Sequence, residues 1–385
     1  MPESPILDLY NLDADWNEEQ RAAIDQVRRF TDEEVLPIIA AAHEAGEFPR
    51  ELVSGIQRLG ILESVASEEI DPYTYGLVLR ELERGGSEIR SFVSVQGSLV
   101  MSAIQLFGSP EQKQRWLKPL GTLDAIGCFG LTEHDYGSNP AALITTATES
   151  PNGYRLSGKK CWITNGTMAD VAVIWAKLAG RVRGFLVETD RKGFEARSIK
   201  GKWSFRASDT AELFLDNVEV PKTSLLPHTR SVGSALDCLN QARTGIAWGV
   251  IGAAAACFEE ARTYVMERPQ FDNKPLASHQ LIQGRLAWMA CDLTAMQLIA
   301  KRLADLKRAG KAEGYQVSLA KMYNCRKALE IARQCRELLG ASGIHNEYHV
   351  GRHMVNLETV VTYEGTENIH SLVLGWHLTG TKAFS

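Results

Sequence analysis

The chain has 385 residues, 44% hydrophobic and 23% charged, with a formal net charge of -5. That length and balance support a sizeable core divided among two or three domains, or one large layered body. The acidic balance and the lack of any basic stripe exclude the usual polyanion partners, so no nucleic-acid partner is expected.

Met1-Pro2-Glu3-Ser4-Pro5 lacks the basic and apolar regions of a secretory leader, so a cytoplasmic protein is expected. From Asn17 to Gly121 apolar residues recur at helical spacing, as in Ile24, Val27 and Phe30. Ser109-Pro110-Glu111-Gln112 has the capping-box pattern of a helix start. After Gly127 the texture turns to strand, with short β-rich runs at Val171–Trp175, Gly184–Val187 and Glu212–Leu215. Helical periodicity returns from Leu236 to Leu374, in segments such as 280–306 and 317–339. The expected plan is α+β and multidomain: a helical domain over 1–125, a β-domain over 126–225 and a helical bundle over 226–385. The longest apolar run, Ile246 to Phe258, is too short to span a bilayer, so no membrane insertion is expected. The seven cysteines contain no C-x-x-C pair, which predicts neither a metal site nor a disulfide framework and leaves buried or neutral thiols.

Three segments could carry chemistry. In Val361-Thr362-Tyr363-Glu364-Gly365-Thr366 one carboxylate stands between an aromatic ring and a glycine at a break between helices. Held against apolar walls, Glu364 would have a raised pKa and could remove a weakly acidic proton; the alternative is a solvated turn. Cys128 to Pro140, followed by Lys160 to Gly166, offers small residues, hydroxyls and the indole of Trp162, a setting for a planar heterocycle unless Trp162 is core. Arg268-Pro269-Gln270-Phe271, with Gln280 beyond, could hold a diphosphate or be a solvated helix end.

In order and spacing these segments resemble the acyl-CoA dehydrogenases, FAD enzymes with a helical N-terminal domain, a β-barrel-like middle domain and a C-terminal four-helix bundle. The likeness runs nearly end to end. It is greatest to the branch that oxidises glutaryl-CoA, on Glu81-Leu82-Glu83-Arg84, Ile89 to Gln96, Gly249-Val250-Ile251-Gly252 and Thr362 to Thr366. The resemblance implies that Glu364 removes the α-proton of a thioester while the β-hydride passes to the flavin. In the family, the catalytic Glu amide and a ribityl hydroxyl meet the carbonyl oxygen. It implies FAD contacts for Phe129, Leu131, Thr132, Gly137, Ser138, Trp162, Thr164 and Thr366. For Arg268, Phe271, Gln280, Gly340 and Gly343 it implies contacts to FAD from a neighbouring subunit, hence a homotetramer. Ser138, Asn240, Arg243, Tyr363 and Gly365 match positions around the acyl-CoA, and an electron-transfer flavoprotein is the implied acceptor.

Arg90 points to a dicarboxylic thioester, because a guanidinium at the floor of a hydrocarbon pocket is costly without a carboxylate to pair with. If Gly85-Gly86 ends one helix and Ser87 caps the next, Arg90 and Ser94 share a face one turn apart. By resemblance Glu83 tunes Arg90, and Glu83 and Ser91 follow the decarboxylating branch. The alternative for Arg90 is a surface residue paired to Glu88. The flavin segment departs from the family's pattern at His134, Tyr136 and Asn139, and Asp272-Asn273 carries one extra residue that must alter the turn after Phe271. Other readings are oxidation of another short or carboxylate-bearing acyl-CoA, or a non-catalytic flavin-bearing scaffold.

Overall fold

A computed structural model describes residues 7–383; Met1 to Pro5, on which the leader expectation rests, lie outside them. Eight α-helices come first: α1 (Glu18–Phe30), α2 (Leu36–Ala45), α3 (Leu52–Arg58), α4 (Ile61–Ala66), α5 (Pro72–Gly85), α6 (Ser87–Ser94), α7 (Ser102–Phe107) and α8 (Pro110–Gly121). Their ends follow local chemistry. Asp71 caps α5 by accepting from Tyr73 N and Thr74 N ahead of Pro72, and Ser109 and Gln112 close the expected capping box on α8. At α6 the cap differs from expectation. Gly86 occupies the N-cap, and Ser87 is already the first helical residue, its hydroxyl donating at 2.7 Å to Glu83 Oε1. A π-helical stretch, Val95–Met101, joins α6 to α7. From it Gln96 donates to Leu120 O and Ala125 O and accepts from Gly127 N, fixing where the chain leaves the helices for the sheet.

Seven strands follow: β1 (Gly127–Gly130), β2 (Thr146–Ser150), β3 (Gly153–Thr164), β4 (Val171–Leu178), β5 (Arg181–Glu188), β6 (Phe194–Ser198) and β7 (Thr210–Pro221). They run β1-β4-β2-β3-β7-β6, with β5 also on β4. Because β4 pairs with β1, β2 and β5, the sheet curls on itself. The long β3–β7 ladder breaks register twice, once between Lys160 and Ile163, where Cys161 and Trp162 form a bulge.

The second helical part contains α9 (Val232–Glu267), a hairpin of β8 (Pro269–Gln270) and β9 (Lys274–Pro275), then α10 (Gln280–Arg308), α11 (Gly314–Leu338), α12 (His349–Thr362) and α13 (Glu367–Thr379). Helix α9 is buried along most of its length. It lies against α5 at backbone distance, because glycines face each other's helix. A Cβ on Gly252 would stand 1.9 Å from Arg80 O, and one on Gly76 would meet the Trp248 ring at 2.4 Å. One apolar cluster joins the first helices to Phe129, Trp175 and Leu186 of the sheet, and another joins α9 to the later helices. No described helix is long and apolar enough to cross a membrane.

Candidate active site

Helix α12 leads into the segment around Glu364. It has no side-chain cap of its own. Instead the Glu260 carboxylate, from α9, accepts from His349 N and Val350 N at 2.9 Å. At the far end Tyr363 leaves the helix, Glu364 adopts φ 51 and Gly365 φ 94, and Thr366 caps α13 by accepting from Ile369 N. Left-handed backbone at a glutamate is strained unless its surroundings hold it. Three bonds do so: Lys321 Nζ donates to Tyr363 O (2.7 Å) and Gly365 O (2.6 Å), and Arg243 Nε donates to Glu364 O (2.8 Å). Glu364 Oε2 is sealed from solvent and without a hydrogen-bond partner among the described residues. Burial pushes the Glu364 carboxyl above its ordinary range, and Arg90, Arg243 and Lys321 oppose that shift without cancelling it.

Arg90, Ser91 and Ser94 are all buried on α6. Arg90 is not a surface residue paired to Glu88. Its Nε donates to Glu83 Oε2 at 2.6 Å and its Nη2 to the Tyr363 hydroxyl, whereas Glu88 accepts from Asn356 on α12. The guanidinium therefore has a resident counter-charge in Glu83, the residue that the resemblance implies would tune it. Among the described residues, Arg90 Nη1 and Ser94 Oγ are sealed and have no partner, their residues one helical turn apart. The glycines of α9 make room for this group. A Cβ on Gly249 would sit 2.0 Å from Glu83 Oε2 and 3.0 Å from Arg90 Nε. The structure thus brings Glu83, Arg90, Tyr363 and Glu364 into one connected cluster, with Arg243 tied to Asn240 at its edge (2.9 Å).

Phe129 and Leu131 are buried at the end of β1, Thr132 and Thr164 are half-buried, and Gly137 and Ser138 are exposed. Trp162 is not core; at φ 62 on the bulge it is 59% exposed. Behind this open indole, the fully buried Lys160 donates to Glu133 Oε1 (2.9 Å) and Leu131 O (3.1 Å), while Glu133 also accepts from Ile144 N and Thr145 N. Lys160 loses solvation, which lowers it to about 8, whereas Glu133 is held below its ordinary range because Lys160 and its hydrogen bonds outweigh its burial. Both directions describe one buried pair. Of the departures in this segment, His134 places its Nε2 2.7 Å from Glu212 Oε1. With Cys161 these two set one ligand atom each within 4.8 Å of one another, a grouping that cysteine spacing alone did not reveal. Cys291 is exposed, the others buried.

Arg268, Phe271 and Gln280 form a separate exposed region, and the altered turn closes because Asp272 and Asn273 both take positive φ. Gly340 is exposed; Gly343 is buried against Arg336 O, which a Cβ would approach to 2.3 Å. Along α9, Arg268 lies 25 residues beyond Arg243, roughly 37 Å at the helical rise, so these residues do not converge on Glu364 of the same chain. Sequence reasoning missed Lys321, Lys160 with Glu133, and Glu260. The first had a signal: Lys321 falls at the helical spacing of the apolar residues Val317, Ala320, Cys325 and Ala328 of α11.

The sequence matches the family profiles described as "Acyl-CoA dehydrogenase, N-terminal domain" over residues 17–124, "middle domain" over 128–218 and "C-terminal domain" over 232–378. Two crystal structures of glutaryl-CoA dehydrogenase from Mycobacterium smegmatis superpose on it. One is 48% identical with a TM-score of 0.94, covering 97% of this chain and 98% of the other. The second, in complex with FADH2, is 45% identical with a TM-score of 0.96 and covers 99% of each. The mitochondrial short-chain specific acyl-CoA dehydrogenase of Bos taurus is 33% identical over 362 residues, 91% of this chain and 88% of the bovine protein.

Proposed function

The chain belongs to the acyl-CoA dehydrogenase family, and on that premise we propose that it oxidises and decarboxylates glutaryl-CoA to crotonyl-CoA and carbon dioxide. FAD is the cofactor, and the residues accommodate it: the Trp162 indole stands open to a ring, and nothing lies within 4 Å of a Cβ built on Gly137, where backbone can approach a ligand. We assign its isoalloxazine end to Phe129, Leu131, Thr132, Gly137, Ser138, Trp162, Thr164 and Thr366. When bound, FAD supplies the hydride acceptor.

Glu364 takes the α-proton, leaving the C–H electrons to form the α,β double bond as the β-hydride departs. Negative charge gathers on the thioester oxygen, which the Glu364 amide meets; Asn240 and Arg243, with Ser138, Tyr363 and Gly365, flank the thioester and the chain leading to it. The observation that carries the substrate choice is the pair of sealed, unpartnered atoms Arg90 Nη1 and Ser94 Oγ. Two free donors one turn apart match a distal carboxylate, and Glu83 keeps the guanidinium neutralised before substrate arrives. Ser91, buried on the same helix, is assigned to the same site. After oxidation the γ-carboxylate leaves as carbon dioxide, its bonding electrons enter the conjugated thioester, and protonation yields crotonyl-CoA.

Arg90→Gln should cost much more on glutaryl-CoA than on butyryl-CoA, on the order of 2–5 kcal/mol in kcat/KM for the dicarboxylic substrate. Equal losses on both substrates, or glutaconyl-CoA from wild type without carbon dioxide, sink the glutaryl reading and leave the family assignment standing. The electrons pass on, in this reading, to an electron-transfer flavoprotein, which the anaerobically reduced protein must reduce faster than oxygen. Arg268, Phe271, Gln280, Gly340 and Gly343 hold the far end of a neighbouring copy's FAD, which makes the working form a homotetramer. Supporting that reading, Phe271, Leu281, Trp288 and Ile344 are 73–84% exposed around the same region.

A further inference from the structure

We infer that Lys321 is the positioning residue of the oxyanion-binding amide: by holding the carbonyls on either side of Glu364 it aims the Glu364 N–H at the thioester oxygen. The inference rests on the reading of Glu364 as base toward a thioester. Lys321 is 1% exposed on α11, makes no ion pair among the described residues, and its hydrogen bonds go only to Tyr363 O and Gly365 O. An ammonium in such a place is expensive, and an apolar residue would fill the helix stripe better. Burial, with Arg243 and Arg90 acting in the same direction, lowers it to about 8, in keeping with that cost.

What the cation achieves follows from peptide geometry. In a planar trans peptide the C=O and N–H point in opposite directions. Tyr363 O faces Lys321, so the N–H of the same peptide, that of Glu364, points away from it. The next carbonyl is turned the other way, toward Arg243, as the left-handed φ of Glu364 requires, and the third returns to Lys321. Two side chains from two helices thereby fix three successive peptide planes. The Glu364 N–H finds no acceptor among the described residues, which leaves a buried-loop donor free for a ligand. Lys321 also stands close enough to oppose the upward shift of the Glu364 carboxyl, so its removal acts on both donor and base.

The test uses FAD-loaded full-length protein and acetoacetyl-CoA, whose enolate is read directly by its ultraviolet absorbance. Wild type should lower the enolisation pKa of the bound ligand well below that of the free ligand. If it does not, the reading of a thioester oxyanion site fails, whatever Lys321 does. Given a wild-type shift, Lys321→Met should retain FAD and assembly, return the bound enolisation pKa about two units toward the free value, and lower kcat about 10²-fold with KM changed little. Lys321→Gln, one atom shorter and able to reach at most one carbonyl, should lie between. A protein that merely needs that space filled would keep the wild-type enolisation pKa in Lys321→Met. That result overturns the inference, and where Lys321→Met does not fold, a wild-type enolisation pKa in Lys321→Gln overturns it equally.

Discussion

Glu364 combines a backbone conformation uncommon for its type with a carboxylate oxygen that no group among the described residues satisfies. Only its ionised form accepts a proton, so kcat/KM must fall as pH drops through its pKa. Because burial holds that pKa above the ordinary 4.5, the acid limb should lie at higher pH than for an exposed glutamate. Arg243→Gln removes one opposing cation and should move the limb higher still. Glu364→Gln should keep FAD while slowing substrate-driven bleaching of the flavin roughly 10²- to 10⁴-fold. A wild-type limb at or below 4.5, or near-normal bleaching in Glu364→Gln, removes Glu364 as the base. Glu364, Arg90 and Ser94 were legible because each sits in a short local pattern whose neighbours specify its surroundings. The Arg90–Glu83 pair was half legible: the partner could be named, but that it leaves one guanidinium nitrogen free depends on three-dimensional packing. Lys321 was not found because its partners lie 42 and 44 residues away and are backbone atoms, which no side-chain pattern announces.

At the level of elements, the α5–α9 contact decides whether Glu83 and Arg90 can lie where they do. Gly245, Gly249 and Gly252 recur on one face of α9, and each faces a group of α5 or α6. Gly252 stands against backbone, which cannot swing aside as a side chain can. Gly252→Ala should therefore force the helices apart and cost about 3 kcal/mol of stability, read from the fall in denaturant midpoint, with glutaryl-CoA activity falling along with stability. A change under roughly 0.5 kcal/mol, within the usual range for harmless surface substitutions, contradicts the close approach. The glycine string was visible in the sequence, but its meaning was not, since glycine in a helix by itself signals only weakened propensity. The start of helix α12, within the stretch expected to be helical, was likewise not legible. Its N-terminus is satisfied by Glu260 from another helix, so the segment 349–362 carries no start signal of its own. The capping box at Ser109 and the strands β4, β5 and β7 were readable because their determinants are adjacent residues.

In the proposed reading the molecule as a whole divides its chemistry along α9, with Arg243 at Glu364 and Arg268 roughly 37 Å along the helix. A cofactor held at both kinds of position has to be shared between copies, so FAD binding and assembly should be linked. Light scattering should give four copies of the 42.5 kDa chain, about 170 kDa. Trp288→Glu, on the exposed apolar stretch of α10, should yield smaller species that lose FAD on gel filtration. A wild-type monomer that retains FAD contradicts the shared site. The Arg90 bond to Tyr363 joins residues 273 apart in the chain. At roughly 5–20 residues per second on the ribosome, Tyr363 emerges roughly 14 to 55 s after Arg90. During that interval the nascent helices already contain the guanidinium, with Glu83 seven residues away to neutralise it. The early helices can thus wait for α12 without presenting a bare buried cation, and the site comes into being only once Tyr363 has been made.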